Sequence, residues 1–284
     1  MKITADDIIE DQPPKQEFIK APDGHGFIMT NNEYHSLEAI SSTSLKYLEE
    51  SSLHFENRDL FKMESPSLNL GTAVHTLTLE PEKFEVEFAK EPVNALKNTT
   101  IGKAKWQEFE ENLGDKTPIG VKDLELGERM SLNLRTILHD YLKTGIKERS
   151  FFSEYRGMKT KCRPDLLFET PNGWIIFDVK TTKDISKLER IIEEYRYDRA
   201  MAWYRRVMTD NGYNIIGCVL AFVESAGSSH EVKLRMLQSE DLANADNEIE
   251  ELMIKHETFK QTGKVIGMIK PIEIFKWKKQ QNDT

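Results

Sequence analysis

Hydrophobic and polar positions change rhythm several times along this chain, and each change predicts an element. Residues 1–25 hold Pro13, Pro14, Pro22 and several acids with little periodicity, which predicts an extended arm. Ser41 and Ser42 are good N-caps for a helix from Ser44 to Glu50 with Leu45 and Leu48 as its apolar face. Ser67 through Leu79 reads as a second helix, stopped by Pro81. Residues 85–120 are polar and interrupted by Gly and Pro, a surface insertion with one short helix around Lys103–Asn112. Met130, Leu134, Ile137, Leu138, Tyr141 and Leu142 then keep helical spacing up to Gly145. Three strands are predicted next, Phe151–Arg156, Lys159–Phe168 and Trp174–Thr181, with Pro171-Asn172-Gly173 as a turn. A long helix over about Ile185–Thr209 ends at Asn211-Gly212. Strands Ile215–Val223 and Glu231–Leu237, a helix from Asp241 to Lys260 and a basic tail complete the chain. Strands joined by short turns and then by a crossover helix imply an α/β (α+β) fold with a mixed central sheet flanked by helices and a helical N-terminal region. Residues 26–284 read as one domain with its core at about 121–238.

Within that pattern, Arg163-Pro164-Asp165 precedes the apolar run Trp174-Ile175-Ile176-Phe177, which opens into Asp178-Val179-Lys180. Strand side chains alternate, so Asp178 and Lys180 share one face while Ile175, Phe177 and Val179 form the other. Charges at the end of so hydrophobic a strand cost stability unless something binds there. Antiparallel pairing across the turn brings Asp165 and Asp178 to one end of a hairpin. Two carboxylates and a backbone carbonyl suffice for Mg²⁺, which keeps several waters. Lys180 is then placed to orient a hydroxide or to stabilise charge on a phosphate under attack. An isolated D-x-K is also what a surface ion pair looks like.

Three further positions stay open on the residues alone. His75 lies four residues after Gly71 on one helix face, and a lone helical histidine is more often a packing residue than a ligand; as a ligand, imidazole suits Mn²⁺ better than Mg²⁺. Glu154 is a further ligand or catalytic base, or a partner for Lys159 or Lys161. Tyr197 and Tyr204, seven apart with Arg196 and Arg199 nearby, form either a nucleic-acid-binding face or a core-facing aromatic stripe.

Composition narrows the field. The chain has 284 residues, 38% of them hydrophobic and 31% charged, enough for a full core. No apolar run reaches the roughly 18 residues of a membrane span, and the polar, acidic Met1–Glu10 lacks the order of a secretory signal, so the expected place is the cytoplasm of a bacterial or phage-infected cell. Two cysteines, Cys162 and Cys218, exclude a four-thiolate zinc or iron–sulfur site and read as reduced, buried hydrophobes. The net charge of −9 argues against a nucleic-acid partner. Local basic stripes qualify that: Lys159, Lys161 and Arg163 on one strand, Arg196, Arg199, Arg205 and Arg206 on one helix, and Lys276, Lys278 and Lys279 near the end.

Together, Gly71-x-x-x-His75 with Leu79-Glu80-Pro81-Glu82, Pro164-Asp165, Asp178-Val179-Lys180-Thr181-Thr182 and a tyrosine-bearing helix resemble the PD-(D/E)xK nucleases, nearest the RecE or exonuclease VIII type of phages and prophages. Asn32-Glu33-Tyr34-His35 and the stretch from Ile40 to Lys46 are also similar to that family. The resemblance implies a restriction-endonuclease-like fold and a Mg²⁺- or Mn²⁺-dependent 5′→3′ exonuclease on linear double-stranded DNA, leaving 3′ single-stranded tails for recombination. It implies His75, Asp165, Asp178 and the Val179 carbonyl as metal ligands, with Lys180 as the catalytic lysine. Ser44 and Lys46, at the serine-rich helix start, would lie near the 5′ phosphate. It further implies a homo-oligomeric ring and a single-strand annealing partner of the RecT type. Where the family's helix carries Gln four residues before its tyrosine, this chain has Ala200. An endonuclease of the same fold, or an inactive DNA-binding or assembly subunit, remains as an alternative.

Overall fold

Alternation along two neighbouring strands sets the architecture of the computed structural model, which describes residues 19–61, 66–93 and 95–265. Residues 1–18 of the expected arm and the lysines at 276, 278 and 279 lie outside the described residues. The elements that frame the site run in this order: α1 (Leu45–Glu50), α2 (Pro66–Leu79), α3 (Val121–Ile137), β1 (Ile146–Lys147), β2 (Phe151–Tyr155), β3 (Met158–Cys162), β4 (Leu166–Thr170), β5 (Gly173–Thr182), α4 (Leu188–Tyr195), α5 (Tyr197–Asp210), β6 (Ile215–Glu224), β7 (Val232–Met236) and α6 (Ser239–Thr262).

Five of these strands form a mixed sheet in the order β7-β6-β5-β4-β1. The β5–β6 pair is parallel, and the other three pairings are antiparallel. On β6, Cys218, Leu220 and Phe222 enter one apolar cluster with Leu45, Trp203 and Met253 from the helices α1, α5 and α6. The intervening Val219, Ala221 and Val223 enter a second cluster with Val74 of α2 and Met130 and Leu134 of α3. The sheet is therefore buried on both faces, as a parallel central pair requires. This is the α/β architecture expected of a restriction-endonuclease-like fold.

The helix expected to run to Gly145 breaks at Leu138, and residues 88–90 and 117–119 pair as strands within the expected surface insertion. Two further boundaries differ from the sequence reading. The expected strand Lys159–Phe168 is two strands, β3 and β4, separated at Arg163-Pro164-Asp165. Pro164 has no N–H to donate to a ladder, so pairing stops there, and β2–β3 stands apart as its own two-stranded hairpin. The expected long helix is likewise two, because Arg196 adopts a left-handed conformation between α4 and α5. At the β4–β5 turn Gly173 has φ 147°, and a Cβ there would lie 2.5 Å from the Asn214 carbonyl oxygen, so the turn requires glycine. Cys162 and Cys218 are both buried free thiols.

Candidate metal and catalytic site

The break at Pro164 and the β4–β5 register together build the site. Leu166 pairs with Phe177, so the next residues outward, Asp165 and Asp178, flank each other at the end of the hairpin away from its turn. Asp165 Oδ2 accepts a hydrogen bond from the Val179 N–H at 2.5 Å. Asp178 is 1% exposed and shares a strand face with Lys180, whose Nζ lies 2.5 Å from Asp178 Oδ2. That contact is an ion pair in which each side chain favours the other's charge.

Helix α2 brings His75 over the end of the sheet. Its Nε2 lies 3.0 Å from Asp165 Oδ2 and 3.0 Å from the Val179 carbonyl oxygen. One ring nitrogen with at most one proton thus meets two acceptors. Its Nδ1 lies 3.6 Å from Glu148 Oε1. Glu148 follows β1 in a left-handed conformation, φ 50°, and its N–H donates to the Asp165 carbonyl at 3.2 Å. One donor atom each from His75, Glu148 and Asp165 falls within 4.8 Å of the others.

These groups fit a small divalent cation. Adjacent donors on an octahedral ion with bonds of about 2.1 Å stand about 3.0 Å apart. His75 Nε2 stands 3.0 Å from both the Asp165 carboxylate and the Val179 carbonyl, and Asp178, next to Asp165 across the ladder, lies outside the group of donors that cluster within 4.8 Å. Oxygen donors with one imidazole suit Mg²⁺ or Mn²⁺.

Electrostatics point the same way. Burial raises the Asp178 carboxyl above its ordinary value despite the pull of Lys180, and burial also raises Glu148. Burial works to raise Asp165 too, but His75, Lys180 and the Val179 N–H hold it below the usual carboxylate range. Burial alone would depress His75; Asp165 and Glu148 outweigh it and lift the imidazole well above its ordinary value. Burial opposes the Lys180 charge as well, and Asp178 and Asp165 more than restore it. The pocket concentrates negative charge that two protein cations only partly offset.

The other residues singled out from the sequence have different fates. Tyr197 is half-buried with Lys180 Nζ 5.3 Å from its ring centroid, so it borders the site. Tyr204 is half-buried nearby; burial lifts its phenol well above the ordinary value, with Asp178 and Asp165 adding to the effect. Ser44 is buried, and its hydroxyl serves Ser41: it accepts from the Ser41 N–H at 2.7 Å and donates to the Ser41 carbonyl at 2.8 Å. The helix it precedes, Leu45–Glu50, has six residues. Lys46 is exposed, 4.8 Å from the Tyr47 ring centroid.

Two expectations need correction. Glu154 is exposed on the separate β2–β3 hairpin, paired across the ladder with Lys159, and the acid that joins His75 and Asp165 is Glu148. Arg199 is not on a nucleic-acid face: it is 4% exposed and bonds Glu49 at 2.7 Å. The basic helix as a whole faces α6, where Arg196 meets Glu248, Arg205 meets Asp246, and Arg206 lies 3.7 Å from Asp246. On the basic strand Lys159 is exposed, but Lys161 and Arg163 are turned inward. Lys161 donates to the Tyr34 and Leu37 carbonyls at 2.6 and 2.8 Å. Arg163 donates to Ser150 Oγ at 2.9 Å and Asn31 Oδ1 at 2.7 Å, clamping the turn that carries Asp165. The sequence reading missed Glu148 and this clamp. No local pattern in the sequence marked Glu148, whose contact with His75 is set by how α2 crosses the sheet.

With this geometry in hand, the comparisons with known proteins can be placed. The family model described as a PDDEXK-like domain of unknown function (DUF3799) matches residues 41–265. Among solved structures, a candidate exonuclease from Eubacterium rectale superposes with a TM-score of 0.59 at 15% identity, covering 87% of this chain and 90% of that one. At that identity the likeness speaks for the fold alone. The crystal structure of SSO0001 covers 78% of this chain and 81% of its own at 15% identity, and its TM-score of 0.34 carries no argument. No curated protein matches the chain.

Proposed function

The chain belongs to the family of PDDEXK-like domains, and from that premise we propose that it is a divalent-metal-dependent nuclease that hydrolyses phosphodiester bonds in DNA. The observation that carries the proposal is the convergence of the His75 Nε2, Asp165 Oδ2 and Val179 carbonyl donors, 3.0 Å from Nε2 to either oxygen, with the buried Asp178–Lys180 ion pair on the neighbouring strand. Asp165, Asp178, His75 and the Val179 carbonyl would hold the ion. A bound Mg²⁺ or Mn²⁺ supplies a polarised phosphoryl oxygen and a water of lowered pKa. Glu148 orients the His75 ring from its Nδ1 side, the task of an outer carboxylate behind a ligating imidazole. Lys180, kept charged by Asp178 and Asp165, offers its ammonium to the attacking oxygen or to the negative charge that grows on phosphorus. Tyr197 packs against that lysine and limits where its ammonium can point.

Within this reading the substrate is the end of linear double-stranded DNA, and removal runs 5′→3′ to leave a 3′ single strand for recombination. The family resemblance supports that polarity, as it supports a ring of identical chains and a single-strand annealing partner of the RecT type. A ring would also reconcile DNA handling with a net charge of −9, because encirclement retains a duplex without a uniformly basic surface. No helix among the described residues is long and apolar enough to cross a membrane.

The test is digestion of linear duplex in Mg²⁺, with covalently closed DNA alongside and with 5′-phosphorylated and 5′-hydroxyl ends compared. The proposal expects loss of linear DNA, resistance of the closed circle and sensitivity to the state of the 5′ end. Cutting of the closed circle would make the enzyme an endonuclease. Wild-type rates in Asp178→Ala or Lys180→Ala would overturn the nuclease assignment.

A further inference from the structure

A single residue separates α4 from α5. Arg196 has φ 54°, a conformation that is strained for a residue with a Cβ. Its guanidinium is fixed by Asp198 at 3.1 Å and by Glu248 of α6. The break changes which side chains meet. In a continuous helix, residues two apart point to nearly opposite faces. Across this break Tyr195 and Tyr197 instead stack, with ring centroids 5.7 Å apart and planes inclined by 16°. Tyr197 also lies 5.3 Å from Lys180 Nζ, and Lys180 touches Asp178. A ladder therefore leads from the buried acids, through the lysine and one half-buried ring, to Tyr195, which is 63% exposed.

We propose that Tyr195 is a stacking platform for a nucleobase, receiving the face of a base close to the phosphate that Asp178 and Lys180 address. The inference rests on the nuclease reading for its substrate class. The pieces suit a base: the free ring ends a parallel ring stack, and every base presents a π-face, so the contact is tolerant of sequence. The ion-paired left-handed residue fixes the break that brings the two rings together.

The test is equilibrium binding of short duplexes to the full chain in excess chelator. The fluorescent base 2-aminopurine, and separately an abasic nucleotide, are moved through the first few positions from each end. One position should show quenching of 2-aminopurine by the wild type. Tyr195→Ala should weaken binding roughly tenfold and lose that quenching, and Tyr195→Trp should restore both. An abasic nucleotide at the same position should weaken the wild type by a similar factor and leave Tyr195→Ala no weaker still, because the two changes remove one contact. Wild-type affinity in Tyr195→Ala, or losses that add in full, would overturn the platform. The two proposals fail separately: coupled losses with no cleavage in Mg²⁺ sink the nuclease and leave the platform, while cleavage with additive losses does the reverse. Absence of any DNA binding overturns both.

Discussion

The end of the β4–β5 hairpin and the α5–α6 interface are built from the same charged residue types and handle them in opposite ways. Between α5 and α6, cations and acids are matched: Arg196 with Glu248, Arg205 with Asp246, and Arg156 of the β2–β3 turn with Glu250 at 2.5 Å and Glu257 at 2.6 Å. At the hairpin end, the Asp165 and Glu148 carboxylates and the Val179 carbonyl crowd one imidazole, and the buried Asp178 sits on the neighbouring strand with Lys180. Matched charges hold helices together. Acids crowded around one imidazole leave a place for a cation. The distinction lies in which groups are set side by side, acid with cation or acid with acid, and residue counts do not contain it.

Breaking the crowded region should have the largest effect. Asp178→Ala and Lys180→Ala should each lower kcat on linear duplex by on the order of a hundredfold to a thousandfold, the scale seen when one group stabilising transition-state charge is removed. Steady-state digestion under saturating Mg²⁺ measures this. Glu148→Gln should act more weakly and on metal affinity, by roughly ten- to a hundredfold, because it removes the carboxylate behind His75 and spares the ligands themselves. Titration calorimetry with Mn²⁺ reads it directly.

The matched region should answer in stability. Arg199→Ala should lower the unfolding free energy by about 1–3 kcal/mol in denaturant titration, since its partner Glu49 is half exposed and can return to water. Cleavage per folded molecule should stay near wild type. A large loss of DNA affinity would instead place Arg199 on the substrate face.

His75 links the two kinds of behaviour to pH. Its value in the metal-free fold is raised, so the bound proton stabilises the fold fully below the unfolded value near 6.5, and this contribution fades as pH rises through the folded value. Melting of the chelated wild type should therefore lose stability relative to His75→Asn as pH rises above the unfolded value near 6.5. Saturating Mg²⁺ should flatten the difference, because metal and proton compete for one nitrogen. The smallest effect expected is from Lys46→Ala: an exposed lysine beside Tyr47 should change DNA affinity about twofold at low salt and less at high salt.

How far the sequence reveals this site depends on where each residue's surroundings come from. Asp165, Asp178 and Lys180 sit on strands whose two-residue period and short turn fix their neighbours locally, so their meeting was legible. His75 reaches them from α2, and only the resemblance marked it for this role. Glu148 was not legible, because its contact with His75 depends on how α2 crosses the sheet, which no local pattern encodes. Lys161 and Arg163 were read as a surface stripe from strand alternation. They turn inward because the chain at 29–37 offers carbonyls and the Tyr34 ring, with Arg163 at 4.3 Å from its centroid. The stop between α4 and α5 escaped notice because Arg196 is neither Gly nor Pro, and its left-handed turn depends on acids brought from α5 and α6. The two-sided burial of β5 and β6 follows from their nearly continuous apolar runs, which is why the fold class was legible before the site, whereas the order of the strands was not.

The central claim is tested most directly by anomalous diffraction from crystals of the full chain soaked in Mn²⁺. The account predicts a peak within about 2.0–2.3 Å of His75 Nε2, of a carboxylate oxygen from each of Asp165 and Asp178, and of the Val179 carbonyl. A saturating soak that leaves this pocket without a peak, or places manganese among the acids of α6 instead, would contradict it.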